Sequence, residues 1–404
     1  MDHIEKIMEQ RLLKKLDYTK EATDEEVLDL IDNIFLQEEA IRLWKVEERI
    51  QLKNRIFYTL RRLDILQTLL EDPKITEIMI NGKDHIFVEK EGKIHQLQDQ
   101  FESKEKLVQI IQKIVAQCNR TVNESTPIVD ARLKDGSRVN VVLDPVAIDG
   151  PVVTIRRFPD KPVSMENMIH WGSISKEAAD ELRRFVKAGY NIFISGGTGS
   201  GKTTFLNVLS GYIPPDERII TIEDSAELQI QGVTNLVRME TRNENVEGCN
   251  AISIRDLIRT SLRMRPDRII VGEVRGSEAV DMMTAFNTGH DGSMSTGHAN
   301  SAKDMLFRLQ TMILMGMDIP LSAVKQQIAS AVDIIVHLGR LRDKSRKILE
   351  ISEVLGYEND EIMLHTLYRY QETGQNNMGE VEGMLIREGD IRNDFKLKAA
   401  GMGL

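Results

Sequence analysis

Gly196-Gly-Thr-Gly-Ser-Gly-Lys-Thr203 is the most informative run in the chain. It fits G-x-x-x-x-G-K-[ST], with Gly196, Gly201, Lys202 and Thr203 at the fixed positions and Gly197, Thr198, Gly199 and Ser200 between them. Each residue type answers a need of phosphate binding. Glycines let successive backbone N–H groups curl around phosphate oxygens, since no Cβ blocks the approach. The lysine of such a loop reaches the β- and γ-phosphates, and the hydroxyl after it ligates Mg²⁺; Lys202 and Thr203 take these roles. Tyr190-Asn-Ile-Phe-Ile-Ser195 reads as a buried strand leading in. Thr204 to Leu209 reads as the helix whose N-terminus faces the phosphates. A glycine-rich turn can match by chance, but strand, loop and helix in succession argue against that.

Outward from the loop, strand and helix alternate from about Lys161, as in a parallel α/β core. Strands are predicted at Tyr190–Ser195, Arg218–Glu223, Asn235–Met239, Arg268–Gly272 and Gly292–Ser295. Helices are predicted at Lys176–Lys187, Lys202–Tyr212, Ser253–Met264, Ser277–Asn287 and Ala302–Met315. Ala331–Leu338 and Ile348–Leu355 read as closing strands, and the polar stretch from Thr373 as a tail. Upstream, Met1 to Glu71 reads as helical, with Ile50, Ile56, Leu60, Leu63, Leu66 and Leu70 on an apolar face. Asp72-Pro73 ends that pattern. A β-rich stretch follows: Ile75–Ile80 runs into Asn81-Gly82, a hairpin signal, then come Ile86–Val88 and a turn near Glu91-Gly92. Lys106–Gln117 reads as a helix, and Arg138–Leu143 and Val152–Arg156 as strands. Pro159 and Pro162 mark a linker. The resulting scheme is a helical region over 1–71, a small α+β domain over 72–158, the P-loop domain over 159–372 and a tail over 373–404.

Composition narrows the class. The 404 residues are 41% hydrophobic and 29% charged, an ordinary globular balance. A net charge of −10 argues against a nucleic-acid coat. The two cysteines, Cys118 and Cys249, stand far apart and in no metal spacing, which points to a reducing compartment. Met1-Asp-His-Ile-Glu-Lys6 is charged and lacks the apolar centre of a signal peptide. No apolar run approaches a membrane span. The expectation is a cytoplasmic protein that meets a membrane only through a partner.

A nucleotide hydrolase also needs acids for Mg²⁺ and water and a group that senses the γ-phosphate. Three later segments end strands with such groups, where ligands bind in sheets of this kind. Arg218-Ile-Ile-Thr-Ile-Glu-Asp224 offers Glu223 to orient and deprotonate the attacking water; the blander reading is a helix cap or loop acid. Arg268-Ile-Ile-Val-Gly-Glu273 offers Glu273 on the Mg²⁺ side, its long arm suited to a metal-bound water. Gly289-His-Asp-Gly-Ser-Met-Ser-Thr-Gly-His298 offers His298 as a donor to the γ-phosphate, with His290 nearby. Arg255, Arg259 and Arg263 share a helix face, best read singly as a solvated cationic face. Arg138, Arg156 and Arg157 precede the P-loop domain and can supply charge to a phosphate from a neighbouring domain or subunit. Met312, Met315 and Met317 read as core or an adaptable contact surface.

Taken together these segments resemble the secretion ATPase superfamily, and within it the CpaF/TadA branch that assembles tight-adherence (Flp-type) pili. The likeness runs from about Ile75 to Tyr357. Gly196–Thr203 matches the Walker A loop, Arg218–Glu227 the Asp box, Leu262–Gly276 the Walker B region in its Glu variant, and Thr288–Asn300 the His box. Asp135–Asn140 and Thr154–Phe158 resemble the segments whose arginines approach the nucleotide. The resemblance implies a RecA-like P-loop NTPase motor domain, an α/β fold preceded by a small α+β domain and an N-terminal helical region. It implies ATP and Mg²⁺ as cofactors, a homo-hexamer, and an inner-membrane platform protein as partner, with no nucleic acid and no direct membrane insertion. By analogy with RecA-like motors Glu223 is the base and Glu273 serves Mg²⁺; the reverse stays open. Members with a four-cysteine zinc site differ from this chain, which has only two cysteines.

Other functions make distinct expectations. A conjugation-type nucleic-acid translocase would show DNA-stimulated turnover. A nucleotide-gated switch would prefer GTP, yet no Asn-Lys-x-Asp run is present. A nucleotide-bound scaffold would show ATP turnover unchanged in Glu223→Gln.

Overall fold

The computed structural model describes residues 2–15, 22–38, 41, 44–90, 92–118, 120–133, 135–157, 163–242, 251–376 and 378–403. The expected linker prolines, Pro159 and Pro162, lie outside these residues, as do Glu91 and Cys249. The chain divides into two compact units, Met1–Asp160 and Lys161–Leu404.

The first unit opens with α1 (Asp2–Lys15), α2 (Asp24–Gln37), α3 (Val46–Arg61) and α4 (Ile65–Glu71). Thr23 starts α2 with a reciprocal capping box to Glu26, and Val27, Ile31, Ile34 and Phe35 then fall on one buried face. They pack with Met8, Leu12, Leu52 and Ile56. Ile50, predicted on the apolar face, is 52% exposed. It lies two residues, about 200° of helix, from Leu52, so the buried stripe of α3 excludes it. Leu63 and Leu66 join a different core, that of an antiparallel sheet ordered β3-β2-β1-β6-β5-β4. Its strands are β1 (Ile75–Asn81), β2 (His85–Lys90), β3 (Lys93–Gln96), β4 (Ile128–Arg132), β5 (Arg138–Val142) and β6 (Val152–Arg156). The expected hairpin forms at Asn81-Gly82, where Asn81 faces His85 and Gly82 takes φ +67°. α5 (Lys104–Gln117), capped by Ser103, covers the sheet with Leu107, Ile110, Ile111 and Ile114.

The second unit is built on a nine-stranded sheet, ordered β15-β14-β13-β12-β7-β11-β10-β8-β9. β7 (Ile192–Gly196), β8 (Arg218–Glu223), β9 (Asn235–Glu240), β10 (Arg268–Val271), β11 (Met294–Gly297) and the start of β12 (Ile334–Arg340) form the parallel half. Its strands inside the edge strand β9 read as apolar runs because helices cover both faces. Ile192 and Ile194 of β7 point into a core with Phe185 and Leu206; Phe193 points into the other, with Met282 and Leu309. The first face carries α6 (Met165–His170), α7 (Lys176–Lys187) and α8 (Lys202–Ser210). The second carries α9 (Ile254–Ser261), α10 (Ala279–Phe286), α11 (Ala302–Gly316) and α12 (Leu321–Ala331). Arg255 and Arg259 are not merely solvated: both donate to Asp281 of α10, at 2.6 and 2.8 Å.

The last stretch departs from the sequence reading. Ala331 ends α12, and the first closing strand starts at Ile334. The second extends over Arg346–Glu358 (β13) and turns at Asn359 and Asp360, both at positive φ, into β14 (Glu361–Gln375). The presumed tail then adds β15 (Val381–Arg387), antiparallel to β14, and α13 (Phe395–Ala399). Leu385, Ile391 and Leu397 enter the core. Only Val381 and Leu385 of β15 are buried, so its apolar content looked like that of a loop.

Candidate functional site

β7, β10, β8 and β11 run parallel, so their C-terminal ends share one edge of the sheet. The glycine-rich loop leaves β7 at that edge. Gly199 and Gly201 hold left-handed φ of +71° and +94°. A Cβ on Gly196 would stand 2.5 Å from the Leu338 carbonyl oxygen and 2.6 Å from Ser200 Oγ, so a side chain there has no room. Gly197 and Thr198 lie exposed in the loop. α8 begins at Lys202 without a side-chain cap, its first turn formed by Lys202, Thr203 and Thr204. Its N-terminal N–H groups and helix dipole favour an anion.

Lys202 is 7% exposed. Its Nζ donates to the Gly197 carbonyl at 3.0 Å and lies 3.3 Å from His298 Nδ1. Burial lowers the pKa of Lys202, opposed by the Glu273 carboxylate. His298 follows β11. Burial, then the charge on Lys202, lower its pKa below the ordinary 6.5, which makes it neutral at pH 7. An ammonium can only donate, so Nδ1 accepts and the ring proton sits on Nε2. That nitrogen lies 2.9 Å from Glu273 Oε1. The approach is out of line for a hydrogen bond, and Oε1 keeps no hydrogen-bond partner. Glu273 Oε2 accepts from Arg275 at 2.8 Å, and Arg275 reaches Asp224 at 3.8 Å. Lys202, His298, Glu273, Arg275 and Asp224 thus stand in close succession across the strand ends of β11, β10 and β8.

Glu223 closes β8 and is 3% exposed. Its Oε2 accepts from the backbone N–H groups of Glu227 at 2.7 Å and Leu228 at 2.9 Å. Its Oε1 is buried with no hydrogen-bond partner among the described residues. Burial pushes the carboxyl pKa up to about 7, against those two hydrogen bonds. Gly272 makes the space, since a Cβ there would stand 2.9 Å from Glu223 Cγ.

Not every candidate gathers here. His290 precedes β11, and its Nδ1 lies 3.1 Å from the Ala285 carbonyl. Ser293, three residues on, bonds Asn191 and Ile192 where β7 begins, so His290 sits at the opposite edge of the sheet from the loop. Its sequence proximity to His298 misled because a whole strand separates them. Arg138, Arg156 and Arg157 belong to the first unit. Arg138 faces Arg156 across β5 and β6, and Arg156 faces Glu77. The Arg157 guanidinium donates to the carbonyls of Asp72 and Ile75. Sequence reasoning missed Asn300, Asp304, Phe307 and Arg308, which line a cavity of about 470 Å³ with Gly197, Thr198 and His298. It also missed Ser195, whose Oγ pairs with His337 Nδ1 at 2.7 Å beneath the loop. The signal for Asp304, Phe307 and Arg308 was helix spacing after the His box.

The model of the type II/IV secretion system protein family matches residues 60–384. The chain belongs to this family, the secretion ATPases. A putative conjugal transfer protein of Mycobacterium tuberculosis is 34% identical over 294 residues, covering 71% of this chain and 83% of the relative. The type IV secretion system protein PtlH of Bordetella pertussis is 35% identical over 260 residues, 58% of this chain and 77% of that one. Among solved structures, the ATPase DotB of Legionella pneumophila superposes with a TM-score of 0.51 at 21% identity, over 72% of this chain and 79% of DotB; that likeness concerns the fold. As in the sequence reading, this secretion ATPase has an α/β P-loop motor fold of the RecA-like kind. No helix among its described residues is long and apolar enough to cross a membrane.

Proposed function

We propose that this secretion ATPase binds ATP with Mg²⁺ at the glycine-rich loop and hydrolyses it to drive pilus assembly or protein secretion. The observation that carries the reading is the close succession of Lys202, His298 and Glu273, which brings the loop beside an acid on a neighbouring strand end. Lys202 binds the β- and γ-phosphates, together with the backbone of Gly196–Gly201 and the first turn of α8 with Thr204. Neutral His298 presents an N–H on the Glu273 side, suited to a γ-phosphate oxygen. Glu223 is the general base: a carboxyl with a pKa about 7 is half-ionised where the reaction runs, and its free Oε1 can accept a proton. Glu273 serves the metal side. The reverse assignment of the acids draws on one observation, that Glu273 rather than Glu223 touches His298.

The residues fit Mg²⁺. Glu273 leaves a buried carboxylate oxygen without a hydrogen bond among the described residues, and Thr203 offers a hydroxyl in the first turn of α8. Among the described residues no three acids, histidines or cysteines gather as a cage, which suits an ion that keeps its waters and leans on phosphates. When bound, the ion neutralises charge building on the transferred phosphoryl group.

At the level of the machine, the reading is a CpaF/TadA-type homo-hexamer that works in the cytoplasm on an inner-membrane platform protein, with Arg138, Arg156 and Arg157 as candidates for contacts to nucleotide. A conjugation-type translocase is the second reading, favoured by the name of the mycobacterial relative and opposed by the net charge of −10. Glu223→Gln and Glu273→Gln test the chemistry. Each should keep ATP binding and lose turnover by about 10² or more, the scale of a positioned acid or base. In the parent, kcat/KM should climb as pH rises through about 7 and level above it, because the base must be ionised. Unchanged turnover in both variants sinks the assignment; DNA-stimulated turnover moves the chain to the second reading.

A further inference from the structure

Lys202, His298 and Glu273 lie toward one side of β7, the side of β11 and β10. On its other side β7 pairs with β12. The last residue of β12, Arg340, stands directly opposite the first residue of β13, Arg346. Opposed residues present their side chains to the same face. That face meets the glycine-rich loop. Arg346 Nε donates to the Gly199 carbonyl at 3.0 Å. A Cβ on Gly199 would stand 3.8 Å from Arg340 Nη1, and one on Gly201 would stand 3.5 Å from Arg346 Cδ. Both arginines are exposed. Their neighbour in the hairpin, Arg342, is paired with Glu372 at 2.7 Å, whereas Arg340 and Arg346 have no carboxylate partner among the described residues.

This inference rests on the nucleotide reading above. A triphosphate with its γ end at Lys202 and His298 follows the loop away from β11, toward β12. We infer that Arg340 and Arg346 form a clamp for the α-phosphate, the end that carries the nucleoside. Two planar guanidinium groups match phosphate oxygens in charge and geometry. The contact is common to ATP and ADP, so the clamp holds substrate and product alike. It is distinct from Lys202 and His298, which face the phosphate that leaves.

The test is equilibrium binding of Mg²⁺ with ADP, and with a non-hydrolysable ATP analogue, to the full chain by titration calorimetry. The double variant Arg340→Ala/Arg346→Ala should weaken both nucleotides by the same factor, about tenfold or more, the scale of lost charge-assisted hydrogen bonds. Arg340→Ala is the second variant, because it removes no side-chain hydrogen bond to the described residues; it should weaken both nucleotides equally by a smaller factor, and Arg340→Lys should recover part of the loss. Unchanged ADP affinity, or a loss confined to the ATP analogue, overturns the clamp while leaving the nucleotide reading intact. If the unsubstituted chain binds neither nucleotide, both readings fall.

Discussion

The two oxygens of the Glu223 carboxyl have opposite surroundings: one accepts two backbone N–H groups, the other is buried alone. A carboxyl with its folded pKa raised from 4.5 to about 7 keeps a proton that the unfolded chain releases. The folded state therefore loses stability as pH rises through that window. Glu223→Gln should be nearly neutral at pH 4.5 and stabilising at pH 8, by up to about 3 kcal/mol. Denaturant unfolding of both proteins at the two pH values checks this; a difference independent of pH would count against burial as the cause. Gly272→Ala acts on the same side chain from outside. Its Cβ must displace Glu223 Cγ from 2.9 Å, at a cost of roughly 1–3 kcal/mol and with loss of turnover. Gly374→Ala, whose Cβ meets nothing within 4 Å, is the control and should leave both melting and turnover unaltered. At this scale the sequence displayed the chemical types well. Lys202, Glu273 and His298 follow motifs whose spacing reflects strand and loop lengths, and they do meet. Gly272 was hidden because a glycine beside an acid says nothing of which neighbouring strand supplies the side chain it accommodates. His290 shows the converse error, since nearness along the chain carried no information about which edge of the sheet it occupies.

Elements buried on both faces were legible, and those buried on one face or at an edge were not. β7, β8 and β10 are continuous apolar runs, and α7 begins at Ser175, a capping residue that also marks it in the sequence. β3 is exposed throughout and carries Ile94 as its one apolar residue, so almost nothing in its composition separates it from a loop. β14, β15 and α13 were obscured for a related reason: each buries a few residues among many polar ones. Their contribution is nonetheless structural. Leu397 is 1% exposed, and Lys396 beside it bonds Asp333 at 2.8 Å and Asp291 at 2.7 Å. Burial raises the pKa of Asp333 and Lys396 opposes that rise. Leu397→Ala should cost about 3 kcal/mol, as expected for a buried leucine, and lower the melting temperature of the second unit. A chain indifferent to this change would restore the view of the last residues as a loose appendage.

For the molecule as a whole, a net charge of −10 counts against a nucleic acid as partner. The CpaF/TadA assignment, the hexamer and the platform protein are proposals that rest on resemblance alone. The chemical centre stands on its own geometry. Its central claim is that one ammonium group, buried against the loop and beside a neutral histidine, grips the phosphates whose cleavage the strand-end acids bring about. The most direct check is phosphate release from ATP by the full chain with Mg²⁺, measured beside Lys202→Ala. Turnover in the parent and its abolition in the variant are expected. ATP hydrolysis that persists undiminished in Lys202→Ala would contradict the account.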